Sequence, residues 1–308
     1  MGVLSSLTIL LQASVRMGTP LLATALGSIL TEMPGILNIG LEGMMLCGAF
    51  FAFATAYLTG SIWLGVLAAA LVGAVLGVAF AYLTVTRCAD QVVTGAALNM
   101  FALGLTGFAY RSLFGATGQA VRVNQFPVIE VPGLSSIPVL GPMLFQHNLL
   151  VYITFALVPI VWFYLFRTAA GYEMRAVGEH PRAADSLGID VFAQKYKGVI
   201  LGGILAAVGG SYLSLAYAGT FIEGMSSGRG FIALAVVIFG RWNPFGAVLG
   251  ALLFGAADAV QFRLQALGFN IPYHFLLMLP YVLTLVVLAG AVSKARAPAS
   301  ECVPYSRR

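Results

Sequence analysis

Residues 43–86 read GMMLCGAFFAFATAYLTGSIWLGVLAAALVGAVLGVAFAYLTVT, with no charged residue between Glu42 and Arg87. A hydrocarbon core takes about 20 apolar residues at helical rise. This run therefore holds two passes, and it decides the class of the molecule. Charge-free runs recur from Glu130 to Arg167, from Lys197 to Glu223 and from Arg263 to Lys294. Of the 308 residues, 60% are hydrophobic and 9% charged, where a soluble domain carries roughly a quarter charged residues. A soluble enzyme and a disordered chain are both excluded, because too little polar surface exists to wrap the apolar volume. The chain is all-α, a polytopic helical membrane protein of 8–10 segments.

Apolar spans are expected near 7–30, 36–58, 62–86, 92–114, 147–167, 196–218, 244–263 and 274–292. Phe231 to Gly240 is apolar but half the length of a spanning helix. It reads as a half-helix, and its polar lead-in, Glu223 to Arg229, is expected to be shielded by protein, since bare irregular backbone is too costly in lipid. Residues 1–293 thus form one transmembrane domain, and 294–308 form a loose polar tail. The 115–146 segment, with Pro127, Pro132, Pro138 and Pro142, reads as a small cap over the membrane domain.

The formal net charge is +5, and its distribution gives an orientation. Placing the 168–195 loop in the cytoplasm also places Arg87, Arg167, Arg175, Arg182, Lys195, Lys197, Arg241, Lys294, Arg296, Arg307 and Arg308 there. Arg111, Arg122, Arg229 and Arg263 then face outward, and Arg16 lies within the first span. The positive-inside rule favours that arrangement, with a cytoplasmic C-terminus. No basic patch interleaved with aromatics suggests nucleic acid. Cys47, Cys88 and Cys302 have no motif spacing, so neither a disulfide framework nor a metal site is expected.

Eight charged residues crowd into Glu173–Lys197. Within that stretch Gly178 and Gly188 are expected helix stops, and Pro181 can open a short helix. Arg182 and Asp185 would share a solvated face. The segment reads as a plain solvated loop or as a rigid docking element for a soluble partner, for which mixed-sign charge suits registration. A second feature is Glu32-Met-Pro-Gly-Ile-Leu-Asn-Ile-Gly-Leu-Glu-Gly43, whose Pro34, Gly35, Gly40 and Gly43 break a membrane helix. Asn38 and Glu42 are spaced to share a helix face. Glu42 either caps a helix start at the interface or faces a solute path, because insertion into lipid would cost at least about 2.5–3.5 kcal/mol. Asn99 and Asp258 are further polar residues inside spans. Asp258 needs a partner, with Arg263 or a neighbouring helix available, and Asn99 suits bonding between helices.

Gly178-Glu-His-Pro-Arg-Ala-Ala-Asp-Ser-Leu-Gly-Ile189 resembles the coupling-helix segment of ABC importer permeases of the branched-chain amino acid, simple-sugar and nucleoside group. The Gly35–Gly43 run and Gly228–Gly246 resemble nucleoside-type permeases that work with basic-membrane-protein-like binding lipoproteins, and specifically the shorter of their two permease subunits. The likeness covers roughly residues 18–290. Glu42 stands where the simple-sugar relatives carry a different polar residue.

The resemblance implies a permease subunit in the bacterial cytoplasmic (inner) membrane that moves nucleosides inward by alternating access. Its implied partners are a second, longer permease, a cytoplasmic ABC ATPase that binds ATP and Mg, and an extracytoplasmic substrate-binding protein. This chain would bind no cofactor itself. Glu179, His180, Pro181, Arg182 and Asp185 would receive the ATPase's motion, and Asn38, Glu42, Asn99 and Asp258 would line the path. Simple sugars or another small solute are an alternative cargo. An ion-coupled carrier, with Glu42 and Asp258 moving protons, is a rival mechanism. No Gly-x-x-x-x-Gly-Lys loop or His-Glu-x-x-His pair occurs, so catalysis by the chain itself is not expected.

Overall fold

A computed structural model describes residues 3–115, 121–130, 135, 140–266, 275, 278, 282–286, 289 and 297–306. Long apolar helices dominate: α1 (Val3–Glu32), α2 (Leu41–Thr59), α3 (Ile62–Ala81), α4 (Gln91–Phe114), α6 (Leu149–Arg167), α9 (Val191–Ser211) and α11 (Pro244–Ala266). α3 and α9 each run on through a wider π-helical turn, Tyr82–Thr86 and Tyr212–Ala218. The shorter helices are α5 (Leu140–Phe145), α7 (Ala169–Glu179), α8 (Pro181–Ser186) and α10 (Arg229–Gly240). Among the described residues seven helices are long and apolar enough to cross a membrane. More than half of the expected span 274–292 lies outside the described residues.

Local chemistry sets the helix starts. Ser61, Asp90, Asn148, Thr168 and Asp190 each accept a first-turn backbone N–H, at the heads of α3, α4, α6, α7 and α9. Pro181 opens α8, where its missing N–H goes unneeded. Gly60 closes α2 at φ 71°, a left-handed cap that glycine adopts without steric cost.

α9 is the central post, packed against α1, α2 and α3. Lipid supplies no hydrophobic drive between helices, so contact depends on close approach through small residues. Gly27 of α1 and Gly202 of α9 show this: a methyl added to either would lie 2.6 Å from the other's carbonyl oxygen. The main apolar cluster, including Leu26, Ile29, Val158, Leu165, Val236 and Phe254, joins α1, α6, α10 and α11.

The two ends of the bundle differ. At one end the 33–40 break, the turn after Thr86, α7–α8 and residues 297–306 meet. At the other, the cap pairs β1 (Val128–Glu130) with β2 (Gln146–Asn148) in an antiparallel ladder, and Val123 N–H bonds to the Gly219 carbonyl. The cap agrees with expectation, although its short hairpin was not foreseen; Pro132 and Pro138 lie outside the described residues.

Several expectations are corrected. Residues 36–38 have no helical structure and α2 begins at Leu41, so Asn38 and Glu42 share no helix face. Gly178 does not stop a helix; it is buried in the last turn of α7, where no side chain fits beside the Met33 carbonyl. The 297–306 part of the tail is seated on α7 by hydrogen bonds and is not loose. Arg229 begins α10 and is largely buried beside Asp258, in keeping with the shielding expected of the 223–229 lead-in.

Candidate functional site

The break between α1 and α2 is built from its sequence. Pro34 offers no N–H and Gly35 takes φ +86°, so the chain leaves α1 in a turn closed by Gly35 N–H to the Glu32 carbonyl, 2.8 Å. Gln91, at the head of α4, accepts the Leu37 N–H at 2.8 Å. Asn99, two turns further along α4, clasps both sides of the α2 start. Its amide donates to the Ile39 carbonyl at 3.1 Å and its oxygen accepts the Gly43 N–H at 2.8 Å. Asn38 is fully buried; its amide reaches Met44 sulfur at 3.6 Å, and its oxygen has no donor.

Glu42, in the first turn of α2, reaches across to α10. Its two carboxylate oxygens accept the Gly228 and Gly230 N–H groups at 2.8 and 2.6 Å. The first N–H groups of any helix lack partners within it, and its N-terminal end carries partial positive charge. Here a side chain of the same protein satisfies both. Beside this cap, Arg229 and Asp258 stand 4.0 Å apart, both largely buried. Asp258 takes its counter-charge from α10, where the sequence also offered Arg263. All four residues expected on the path thus sit around the two helix breaks. Glu42 and Asn99 have both polar ends engaged within the chain.

At the α7–α8 end a buried link joins α1 to the turn after α10: Glu32 accepts from Ser28 and from the Trp242 ring N–H. Sequence reading missed this pair, since neither residue stands out alone. His180 separates α7 from α8, and Glu179, His180 and Arg182 are exposed. Asp185 accepts the Tyr305 hydroxyl at 2.9 Å. Ser300 bonds the Gly178 carbonyl through its N–H (2.9 Å) and its hydroxyl (2.6 Å). A cavity of about 570 Å³ opens between Glu179–Ala183 and residues 299–306. All five residues expected to couple therefore lie together, four of them, Glu179 to Arg182, on the cavity wall. Glu301 lines a second cavity with Glu32 and Cys302, and burial pushes its carboxyl above the ordinary glutamate range.

Toward the opposite end, a cleft of about 450 Å³ lies between α4 and the 219–228 segment, lined by Leu103, Gly104, Gly107, Phe108, Arg111, Glu223 and Gly224. Arg111 donates through Nε and Nη2 to the two oxygens of Glu223, at 2.8 and 2.7 Å. That bidentate contact holds the Glu223 carboxyl below its usual range. Glu223 was expected to be shielded by protein; its side chain is 40% exposed instead, because it turns toward Arg111 at the bundle surface. The sequence signal for this pair was present but weak: two opposite charges, each at the edge of an apolar run. Among the described residues no group of three or more His, Cys, Asp or Glu is placed to hold a metal ion.

Comparison with known proteins bears on this arrangement. Residues 10–288 match the family model for the permease component of branched-chain amino acid transport systems. The chain is 39% identical to the guanosine ABC transporter permease protein NupQ of Bacillus subtilis, over 99% of its own length and 98% of the relative's. It is 41% identical to the nucleoside ABC transporter permease protein NupC of Lactococcus lactis subsp. cremoris, over 99% of both. It is also 39% identical to the putative glucose ABC transporter permease protein TsgC13 of Haloferax volcanii, over 84% of its own length and 78% of the relative's.

Proposed function

The chain belongs to the branched-chain amino acid transport permease family, and from that premise we propose that it is the membrane-spanning subunit of an ABC importer for nucleosides. The full-length likeness to guanosine and nucleoside permeases carries this reading. The α10 cap favours it over an amino-acid cargo. In transporters with broken helices, the positive end of a half-helix meets the anionic group of the solute. Glu42 already occupies that position here, which suits a neutral solute such as a nucleoside. A sugar is also neutral, and the likeness to TsgC13 keeps simple sugars as the second reading.

In this reading the chain lies in the bacterial cytoplasmic membrane with α7–α8 and the C-terminus in the cytoplasm. The bias of basic residues supports that side even without Arg229. A partner ATPase binds ATP and Mg, and Glu179, His180, Pro181, Arg182 and Asp185 receive its motion. A second permease completes the path, and an extracytoplasmic binding protein delivers solute. Nucleotide shifts the balance between outward- and inward-open states only by binding them unequally. That preference passes from α7 to the 33–40 break through the contact of Gly178 with Met33. Asn38, Glu42, Asn99 and Asp258 hold the broken helices that border the path.

The test is reconstitution of this chain with a second permease, ATPase and binding protein in liposomes, followed by tritiated guanosine uptake. Uptake that requires ATP and all four components is expected, with excess unlabelled adenosine competing and glucose not. Accumulation by this chain alone without nucleotide would overturn the importer reading. Competition by glucose alone would move the cargo to sugars.

A further inference from the structure

The cleft at Arg111 has a composition that bundle packing does not require. We propose that it is a nucleoside-contacting subsite in the outer half of the path, with Phe108 stacking on the base and Glu223 accepting its N–H groups. The inference rests on the importer reading above.

Three observations carry it. First, the Arg111 and Glu223 side chains are 66% and 40% exposed, on a helix whose outer face otherwise presents Val93, Met100 and Phe108. Arg111 stands in the last turn of α4 and Glu223 lies outside the spanning helices, so this ion pair sits at the depth where the path opens to water and the cleft beneath it is hydrated. Second, Phe108 is 75% exposed beside that pair. An aromatic face next to a carboxylate is the combination that takes a purine: the ring stacks, and its donor edge meets the acceptor. Arg111 fixes the carboxylate and draws one lone pair from each oxygen, leaving the others free to accept.

Third, the floor is made of glycine. A methyl at Gly104 would meet nothing within 4 Å, and one at Gly107 would meet only the Glu223 carboxylate, at 3.5 Å. Helix packing therefore does not demand glycine at either position. Both absences of a side chain deepen the cleft. Gly104 lies ten residues before the end of α4, about 15 Å at helical rise, which brings the floor close to mid-membrane.

The test uses the complete reconstituted complex and tritiated guanosine uptake at saturating binding protein and ATP. Phe108→Ala is expected to lower uptake about tenfold, the scale of one lost base stack. Phe108→Trp is expected to restore it to within about twofold, and Phe108→Leu is not. Gly104→Leu, which fills the cleft, is expected to stop uptake. Co-elution of each variant with its partner subunits confirms assembly, and a variant that fails to assemble is replaced by Gly104→Ser or Phe108→Ile. Wild-type uptake in assembled Phe108→Ala and Gly104→Leu would overturn the subsite while leaving the importer reading standing. Equal rescue by Leu and Trp would reduce Phe108 to bulk and also overturn it. If the wild-type complex takes up no guanosine with ATP present, the importer reading itself fails, and the subsite with it.

Discussion

Glu42 shows how one side chain acquires a role that its position in the sequence leaves open. The spacing of Glu32 to Gly43 marked a broken helix and a carboxylate too costly for lipid. It did not say what the carboxylate meets, because its partners, Gly228 and Gly230, lie far along the chain and contribute only backbone N–H groups. Glu42→Ala would strand both donors in a protein interior, each at about 1–3 kcal/mol. The expected outcome is a clear fall in thermal stability of the detergent-purified protein, with Glu42→Gln intermediate because its amide oxygen can still accept one bond. An unchanged melting temperature in Glu42→Ala would remove the cap from the account. Asn99→Leu should act in the same direction and more weakly, since it releases one donor and one acceptor at the start of α2.

At the scale of elements, spans and half-helix were legible because hydropathy and charge encode them directly. α10 was expected over Phe231–Gly240 and is found at Arg229–Gly240. The seating of residues 297–306 was not legible, because its main anchors are the carbonyls of Val177 and Gly178. Gly178→Val is expected to disrupt uptake while the subunit still inserts, since the new side chain would meet the Met33 carbonyl. Immunoblotting of membranes alongside transport assays checks this. The seated tail should also respond to pH. Burial raises the Glu301 carboxyl, whose neighbours in the cavity are Glu32 and Cys302. A raised acid favours the seated state below its free value and weakens it as pH climbs past that value. Amide exchange at Ser300, corrected for its intrinsic rate, should therefore quicken from pH 5 to pH 8, and Glu301→Gln should flatten the trend.

Over the whole molecule, topology gives a sharp test because the chain carries natural reporters. Cys88 and Cys302 are exposed and belong to the α7–α8 end, whereas Cys47 is buried. A membrane-impermeant maleimide should label inverted vesicles and spare intact cells; labelling of intact cells would reverse the proposed orientation. The candidate sites were unevenly legible. The α7–α8 segment announced itself by dense charge in an apolar chain. The Arg111–Glu223 cleft stayed hidden because its two charges come from segments that only the folded bundle brings together.

One electrical consequence follows from the head of α10. The positive pole of that half-helix is balanced by an anion that belongs to the protein, and a neutral nucleoside brings no charge of its own. Passage through this subunit then moves no ion down or against the transmembrane voltage. Uptake should run at the same rate in polarised and depolarised vesicles, and a cargo bearing a phosphate would meet an electrostatic barrier where the nucleoside meets none.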